Sequence, residues 1–231
     1  MHRYQILIEY VGTNFVGWQI QSKGKSIQKL IQTKLSKLLK EKILLIGSGR
    51  TDSGVHAIEQ SAHFECKKEI QNIDKFLKSV NHFVNDMGVS IINIKKRNIN
   101  FHARFSAKQR IYKYIIFNRL SRPSIEKGRG WHIIKELDVT LMKEGTKKLL
   151  GTKDFSTFRS SSCNAKSPIR TMKSIKIKSI KGRIEIQFKS QSFLQQQVRS
   201  MVGCLKYLAE KKWDLKKFDF VFKSKKRILC A

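Results

Sequence analysis

Residues 174–188 read SIKIKSIKGRIEIQF, with Ile175 and Ile177 alternating with lysines, then Lys181-Gly182, then Ile184, Ile186 and Phe188 alternating with Arg183, Glu185 and Gln187. A period of two marks a strand, and a two-residue gap joins only antiparallel neighbours, since a parallel pair needs a crossover of a dozen or more residues. Lys-Gly stands where Asn-Gly or Asp-Gly would be the stronger turn signal. The stretch predicts a β-hairpin and favours an α+β class over the alternative, a doubly wound parallel sheet.

Working outward, the same alternation recurs at Tyr4–Tyr10, with Tyr4, Ile6, Ile8 and Tyr10 on one side, followed by a glycine-bearing loop, VGTNFVGWQIQ. Ser26 can cap a helix whose Ile27, Leu30, Ile31, Leu35, Leu38 and Leu39 fall at 3.6-residue spacing and read as core. Ile43–Ile46 reads as a short buried strand, Gln60–Cys66 as an alternating one, and a second amphipathic helix (Ile73, Phe76, Leu77, Val80) leads into a strand at Val89–Ile94. FHARF then passes into a strand over Ser106–Phe117, and residues 118–131 read as loop. A helix over Asp138–Leu150 closes at Gly151, and a serine-rich basic loop, STFRSSSCNAKSPIR, suits either a flexible binding segment or a solvated linker. The last clear element is a helix, FLQQQVRSMVGCLKYLAE. Two α+β halves are expected, residues 1–105 and 106–231, each with a mainly antiparallel sheet.

The formal net charge is +31, with 17 Lys/Arg against 8 Asp/Glu in residues 1–105 and 31 against 9 in residues 106–231. Lysine-rich composition can follow from codon bias, but that alone does not favour one half so strongly. Cations that neutralise phosphates release condensed counterions, so a nucleic acid is the expected partner, with an acidic membrane surface as the alternative. No signal-peptide core and no run of ~18 apolar residues occurs, so the expected location is the cytoplasm. Cys66, Cys163, Cys204 and Cys230 form no C-x-x-C pair, and the six histidines have no metal-ligand spacing, so neither a disulfide framework nor a metal site is expected.

Residues 49–57, GRTDSGVHA, set an acid in a turn-forming segment between two strands. Glycines on either side let the backbone approach a ligand, so the loop can present Asp52 into a cleft. An Asx turn, in which the carboxylate accepts backbone N–H groups, is the alternative, but it leaves Arg50 and His56 unexplained. On the last helix, Leu194, Val198, Met201, Val202, Leu205 and Leu208 form an apolar stripe, and Arg199 falls roughly 60° beyond Val202, on the polar margin. There it can rim a cleft or be a plain surface charge. Tyr112 and Tyr114 share a strand face opposite Ile111 and Ile115, an arrangement found more often in cores and interfaces than in catalysis.

Taken together, IEYVGTNFVGWQIQ, SIQKLIQTKL, GRTDSGVHA, FHARFSAKQRIYKYIIFN, KDFSTFR, IRTM and FLQQQVRSMVG resemble, in order and over nearly the whole chain, the TruA family of tRNA pseudouridine synthases. The resemblance implies the pseudouridine synthase fold, two similar halves joined across a central cleft. It also implies isomerisation of uridine to pseudouridine at positions 38, 39 and 40 of the tRNA anticodon arm, by a homodimer needing no cofactor. It makes Asp52 the catalytic acid, by attack on sugar or base, paired with Arg199. Tyr112 would pack on the flipped base and assist proton transfer from C5, while Arg50 would fill the space that the nucleotide leaves and His56 would bind substrate. The competing reading is a basic RNA-binding or chaperone protein of this fold without base conversion. Three positions depart from the family pattern: Val11 replaces an acid, no proline occurs near residues 84–86, and the chain stops at Ala231 before a GLYLV-like final strand. Loss of that strand is expected to expose a sheet edge and weaken folding or dimerisation.

Overall fold

The computed structural model describes residues 1–231, which divide into two compact units, Met1–Ala107 and Lys108–Ala231.

The N-terminal unit is a four-stranded antiparallel sheet in the order β2-β3-β1-β4, from β1 (His2–Tyr10), β2 (Ile46–Gly47), β3 (Ala57–Cys66) and β4 (Val89–Arg97). Tyr4, Ile6, Ile8 and Tyr10 are all buried, as their alternation predicts, and pack with Ile27, Ile31 and Leu35 of α1 (Ile27–Leu39) and Val80 and Val84 of α2 (Ile73–Val84). Ser26 Oγ accepts the Lys29 N–H, and Asn72 Oδ1 accepts the Lys75 N–H, so each helix starts at a side-chain cap.

The expected strand at Ile43–Ile46 is shorter than its hydrophobic pattern suggests. Ile43 and Leu45 are buried, yet their backbone groups are taken by side chains of α1. Ser36 Oγ accepts the Ile43 N–H (3.0 Å), Gln32 Oε1 accepts the Leu45 N–H (3.1 Å), and Gln28 Nε2 donates to the Leu45 carbonyl (2.8 Å). With those groups satisfied, ladder pairing begins only at Ile46.

The C-terminal unit holds a five-stranded sheet in the order β6-β5-β9-β8-β7: β5 (Arg110–Asn118), β6 (Trp131–Ile133), β7 (Gly151–Asp154), β8 (Ile169–Ile180) and β9 (Arg183–Ser190). The predicted hairpin is β8–β9, with Ile177 opposite Ile186 and Ile180 opposite Arg183, turned at Lys181 (φ 44°) and Gly182 (φ 74°), the paired positive φ of a type I′ turn. Only β5–β6 is parallel. Ile184, Ile186 and Phe188 of β9 face a core shared with α3 (Val139–Leu149), α4 (Gln197–Ala209) and α5 (Leu215–Lys223).

Three elements here escape the sequence patterns. β6 and β7 have three and four residues, too few to display a period, and α5 begins at the cap Asp214, whose Oδ1 accepts the Lys217 N–H. Helix α4 starts four residues later than its pattern. Gln196 has left-handed backbone (φ 60°), and Gln197 folds back to accept the Leu194 N–H at 2.8 Å, so residues 193–196 form a turn. Cys204 and Cys230, 26 positions apart, meet with their Sγ atoms at 3.4 Å as free thiols, a proximity that spacing did not suggest.

Candidate active site

The loop between β2 and β3 carries Arg50, Asp52 and His56. The Val55 N–H donates to the Asp52 carbonyl (3.2 Å), and Gly54 has φ 77°, which is the geometry of a type II turn with glycine at its third position. The backbone thus closes the turn, and the carboxylate is not used as an Asx cap. Asp52 is half-buried, and inside its own unit the carboxylate accepts no hydrogen bond and meets no cation. A carboxylate held by its main chain alone keeps both oxygens for a ligand.

That main chain is clamped by the loop after β1. Trp18 donates its N–H to the Thr51 carbonyl (3.0 Å), the hydroxyls of Tyr10 and Thr51 are 2.8 Å apart, and Ser53 Oγ donates to the Phe15 carbonyl (3.1 Å). A Cβ built on Gly17 would stand 2.6 Å from the Thr51 carbonyl oxygen and 3.1 Å from the carbonyl carbon of Asp52, and the residue has φ 111°. Only glycine allows both that backbone conformation and that approach. Trp18 and Phe15 are themselves buried in the N-terminal core, so the clamp is tied to the sheet.

His56 contributes to the same arrangement. Its Nδ1 accepts the Gly12 N–H at 3.0 Å, which places the proton of the neutral ring on Nε2. Arg50 differs, being exposed, one residue beyond Gly49, whose carbonyl accepts from Gln60 Nε2 at 2.7 Å. The loop therefore offers an anchored acid beside a solvated arginine.

In the C-terminal unit, Tyr112 and Tyr114 lie on one face of β5, opposite Phe188 and Ile186 of β9. Phe193 meets Tyr112 edge-on (ring centroids 5.0 Å, 83°), which fixes the ring while leaving it half-exposed. Burial raises the Tyr114 phenol above its ordinary pKa, and the nearby Arg199 guanidinium opposes that shift. Arg199, on α4, is exposed, and no carboxylate of its own unit pairs with it. The structure thus groups Arg50, Asp52 and His56 on one loop of the N-terminal unit, and Tyr112 and Arg199 beside Tyr114 in the C-terminal unit.

The chain that carries these two groups of residues is similar to known proteins over its full length. The model of the tRNA pseudouridine synthase family matches residues 6–106 and 146–230. This chain belongs to that family. The tRNA pseudouridine synthase A of Pelagibacter ubique (strain HTCC1062) is 82% identical over all 231 residues, which cover 94% of its length. That of Parvibaculum lavamentivorans (strain DS-1 / DSM 13023 / NCIMB 13966) is 37% identical over the same 231 residues, again 94% of its length. Arg50, Asp52, His56 and Arg199 fall inside the stretches matched by the family model, whereas Tyr112 falls between them. As in the sequence reading, the synthase is α+β with largely antiparallel sheets in two halves. No helix is long and apolar enough to cross a membrane.

Sequence reasoning found the acid but not what holds it. Tyr10 read as the end of a strand, and Gly12, Gly17, Trp18 and Thr51 as loop. The available signal was the second glycine-rich segment, VGTNFVGWQ, because two loops that must pack backbone to backbone both need residues without side chains at the contact.

Proposed function

We propose that this synthase isomerises uridine to pseudouridine at positions 38, 39 and 40 of the tRNA anticodon arm, acting in the cytoplasm as a homodimer without a cofactor. The observation that carries the proposal is the clamped Asp52 loop, which presents a carboxylate unsatisfied within its own unit. In the reaction, N1–C1′ breaks, the uracil turns, and C5–C1′ forms. N1 gains a proton and C5 gives one up, so the exchange is redox-neutral and consumes no energy source. A carboxylate suits it, either as nucleophile or by stabilising positive charge at the sugar.

Asp52 takes that role, and Arg199 pairs with it in the working enzyme, keeping it ionised and oriented by charge-assisted hydrogen bonds. Tyr112, already braced by Phe193, packs on the flipped base and assists loss of the C5 proton. Stacking of this kind recovers ~1–3 kcal/mol of the few that flipping costs. Arg50, exposed on the same loop as the acid, enters the space that the flipped nucleotide vacates. His56 contributes to substrate binding chiefly by holding the loop through Gly12.

Tritium release from tRNA labelled at uracil C5 tests the reading. Release by the wild type and none by Asp52→Ala, with tRNA binding retained, is expected. Binding without release by folded wild type would leave an RNA-binding protein and overturn the enzyme.

A further inference from the structure

The serine-rich loop between β7 and β8 carries Arg159 and leads into Arg170 at the start of β8, and no acid neutralises either arginine. It is ordered by its own hydrogen bonds: the Ser160 N–H donates to the Gln195 carbonyl (3.1 Å), the Cys163 N–H to the Ser160 carbonyl (3.1 Å), and Ser160 Oγ and Ser162 Oγ are 3.0 Å apart. Ser160 and Cys163 are buried, which pins the loop against the segment leading into α4. This differs from the flexible or solvated stretch that its composition suggested.

On this frame Arg170 is half-buried at the start of β8. Its Nη1 donates to the carbonyls of Ser167 (2.9 Å) and Ile169 (2.6 Å), while Nε is buried with no partner. Arg159, also half-buried, has one long contact, from Nη1 to the Ala165 carbonyl at 3.5 Å. Neither guanidinium takes part in an ion pair. Asp154, on the adjoining strand, is committed to Lys225 Nζ (3.4 Å) and the Ser156 N–H (2.9 Å), and Lys153 stands opposite Arg170 in the ladder.

We infer that Arg159 and Arg170 form a two-pronged site for one phosphodiester of bound RNA, with Ser162 at its rim. The two Nη1 atoms contact carbonyls only two residues apart on this loop, those of Ala165 and Ser167, so one anion can reach both partly desolvated guanidinium groups. Planar forks with free Nη2 groups suit two oxygens of one phosphate better than separate lysines would. Burial depresses the pKa of Arg170, Cys163 opposes that shift, and the like charge of Arg159 adds to it by the least. The loop backbone fixes both prongs before binding, so the site selects a position along the RNA backbone as well as adding charge.

The inference rests on the proposed tRNA reaction only in taking tRNA as the ligand. Affinity for tRNA would be measured against salt for wild type, Arg159→Gln, Arg170→Lys, Arg170→Gln and the double Arg159→Gln/Arg170→Gln variant, each checked for an unchanged unfolding temperature. The slope of log K against log[salt] should shrink by roughly 0.7–0.9 in Arg159→Gln, as for one lost phosphate. The double variant should lose no more than the single one, because both prongs hold the same phosphate. Arg170→Lys keeps the charge but loses the fork, and should still weaken binding. Inorganic phosphate at constant ionic strength should compete with tRNA for wild type more than for the double variant. Unchanged slopes, or losses that simply add, in a wild type that binds tRNA and releases tritium would overturn the site and leave the enzyme standing. Phosphate competition with unchanged tRNA slopes would assign the pair to a free anion and overturn it as an RNA contact. Failure of wild type to bind tRNA would instead overturn the functional reading.

Discussion

Asp52 owes its position to atoms several residues away in the chain but next to it in space. Gly17→Ala would force a methyl against the Thr51 carbonyl and strain a backbone at φ 111°. We expect it to cost more than ~1 kcal/mol of stability and to lower tritium release more than tRNA affinity. Thr51→Val, which removes the hydroxyl beside Tyr10, should cost about 1 kcal/mol and act in the same direction, as chemical denaturation and single-turnover release would report. His63 offers a pH-dependent test. It is buried, its Nδ1 accepts the Ala103 N–H (3.1 Å), and it contacts His102 at a ring-centroid distance of 4.8 Å. Burial, then the charges of His102 and Arg3, lower its pKa to about 4, while Glu65 and a hydrogen bond to the Ile46 backbone oppose the shift. The folded state therefore binds fewer protons at this site than the unfolded one. Its contribution is complete above pH about 6.5 and is lost as pH falls towards 4, by roughly 3 kcal/mol. Unfolding titrations of wild type and His63→Gln across that window should show the slope in wild type and a flatter profile in the variant.

At the level of elements, helix α1 does more than supply an apolar stripe. Its polar face holds the extended stretch before β2 through Gln28, Gln32 and Ser36, and so sets where β2 and the Asp52 loop begin. Gln32→Ala would leave the Leu45 N–H buried and unpaired, at a cost of about 1–3 kcal/mol. Amide exchange at Leu45 should accelerate more than exchange in the middle of α1. The β8–β9 hairpin points the other way. Lys181 sits at φ 44° where asparagine is better suited, so Lys181→Asn should stabilise the C-terminal unit by up to ~1 kcal/mol, readable as a raised unfolding temperature. The existence and buried faces of these long elements were legible because burial imposes a period on the residues, although β8 begins at Ile169, five residues before the alternation that marked it. The short strands β6 and β7 were not, because a strand of three or four residues has no room for one.

On the scale of the whole molecule, each unit has its own core, and the charge is spread so unequally that residues 106–231 carry most of the excess lysine and arginine. If tRNA is held through 6–10 phosphates, affinity should fall by roughly 10³–10⁵-fold between 50 and 200 mM salt. A filter-binding series would check this, and a nearly flat profile would argue that base contacts dominate. Loss of any single surface lysine should matter little against that background. Loss of the arginine pair should matter more, because both are held by the loop backbone before the RNA arrives and neither is paired with an acid.

Sequence alone determined the class of fold, the antiparallel hairpin, the faces of β1, α1 and α2, the polyanionic partner, and the likeness that singled out Asp52, Arg199 and Tyr112. These are written in local periodicity, in composition and in uninterrupted motifs, all of which survive without coordinates. Tertiary structure decided that Asp52 is held by its backbone and not by its carboxylate, that Gly17 and Trp18 pack against the Asp52 loop, that His56 spends one nitrogen on Gly12, and that Arg159 and Arg170 bond carbonyls of one folded loop. Those facts depend on which backbone donors find which acceptors across dozens of residues. Such pairings are selected by the energy of the packed whole and leave no period in the chain.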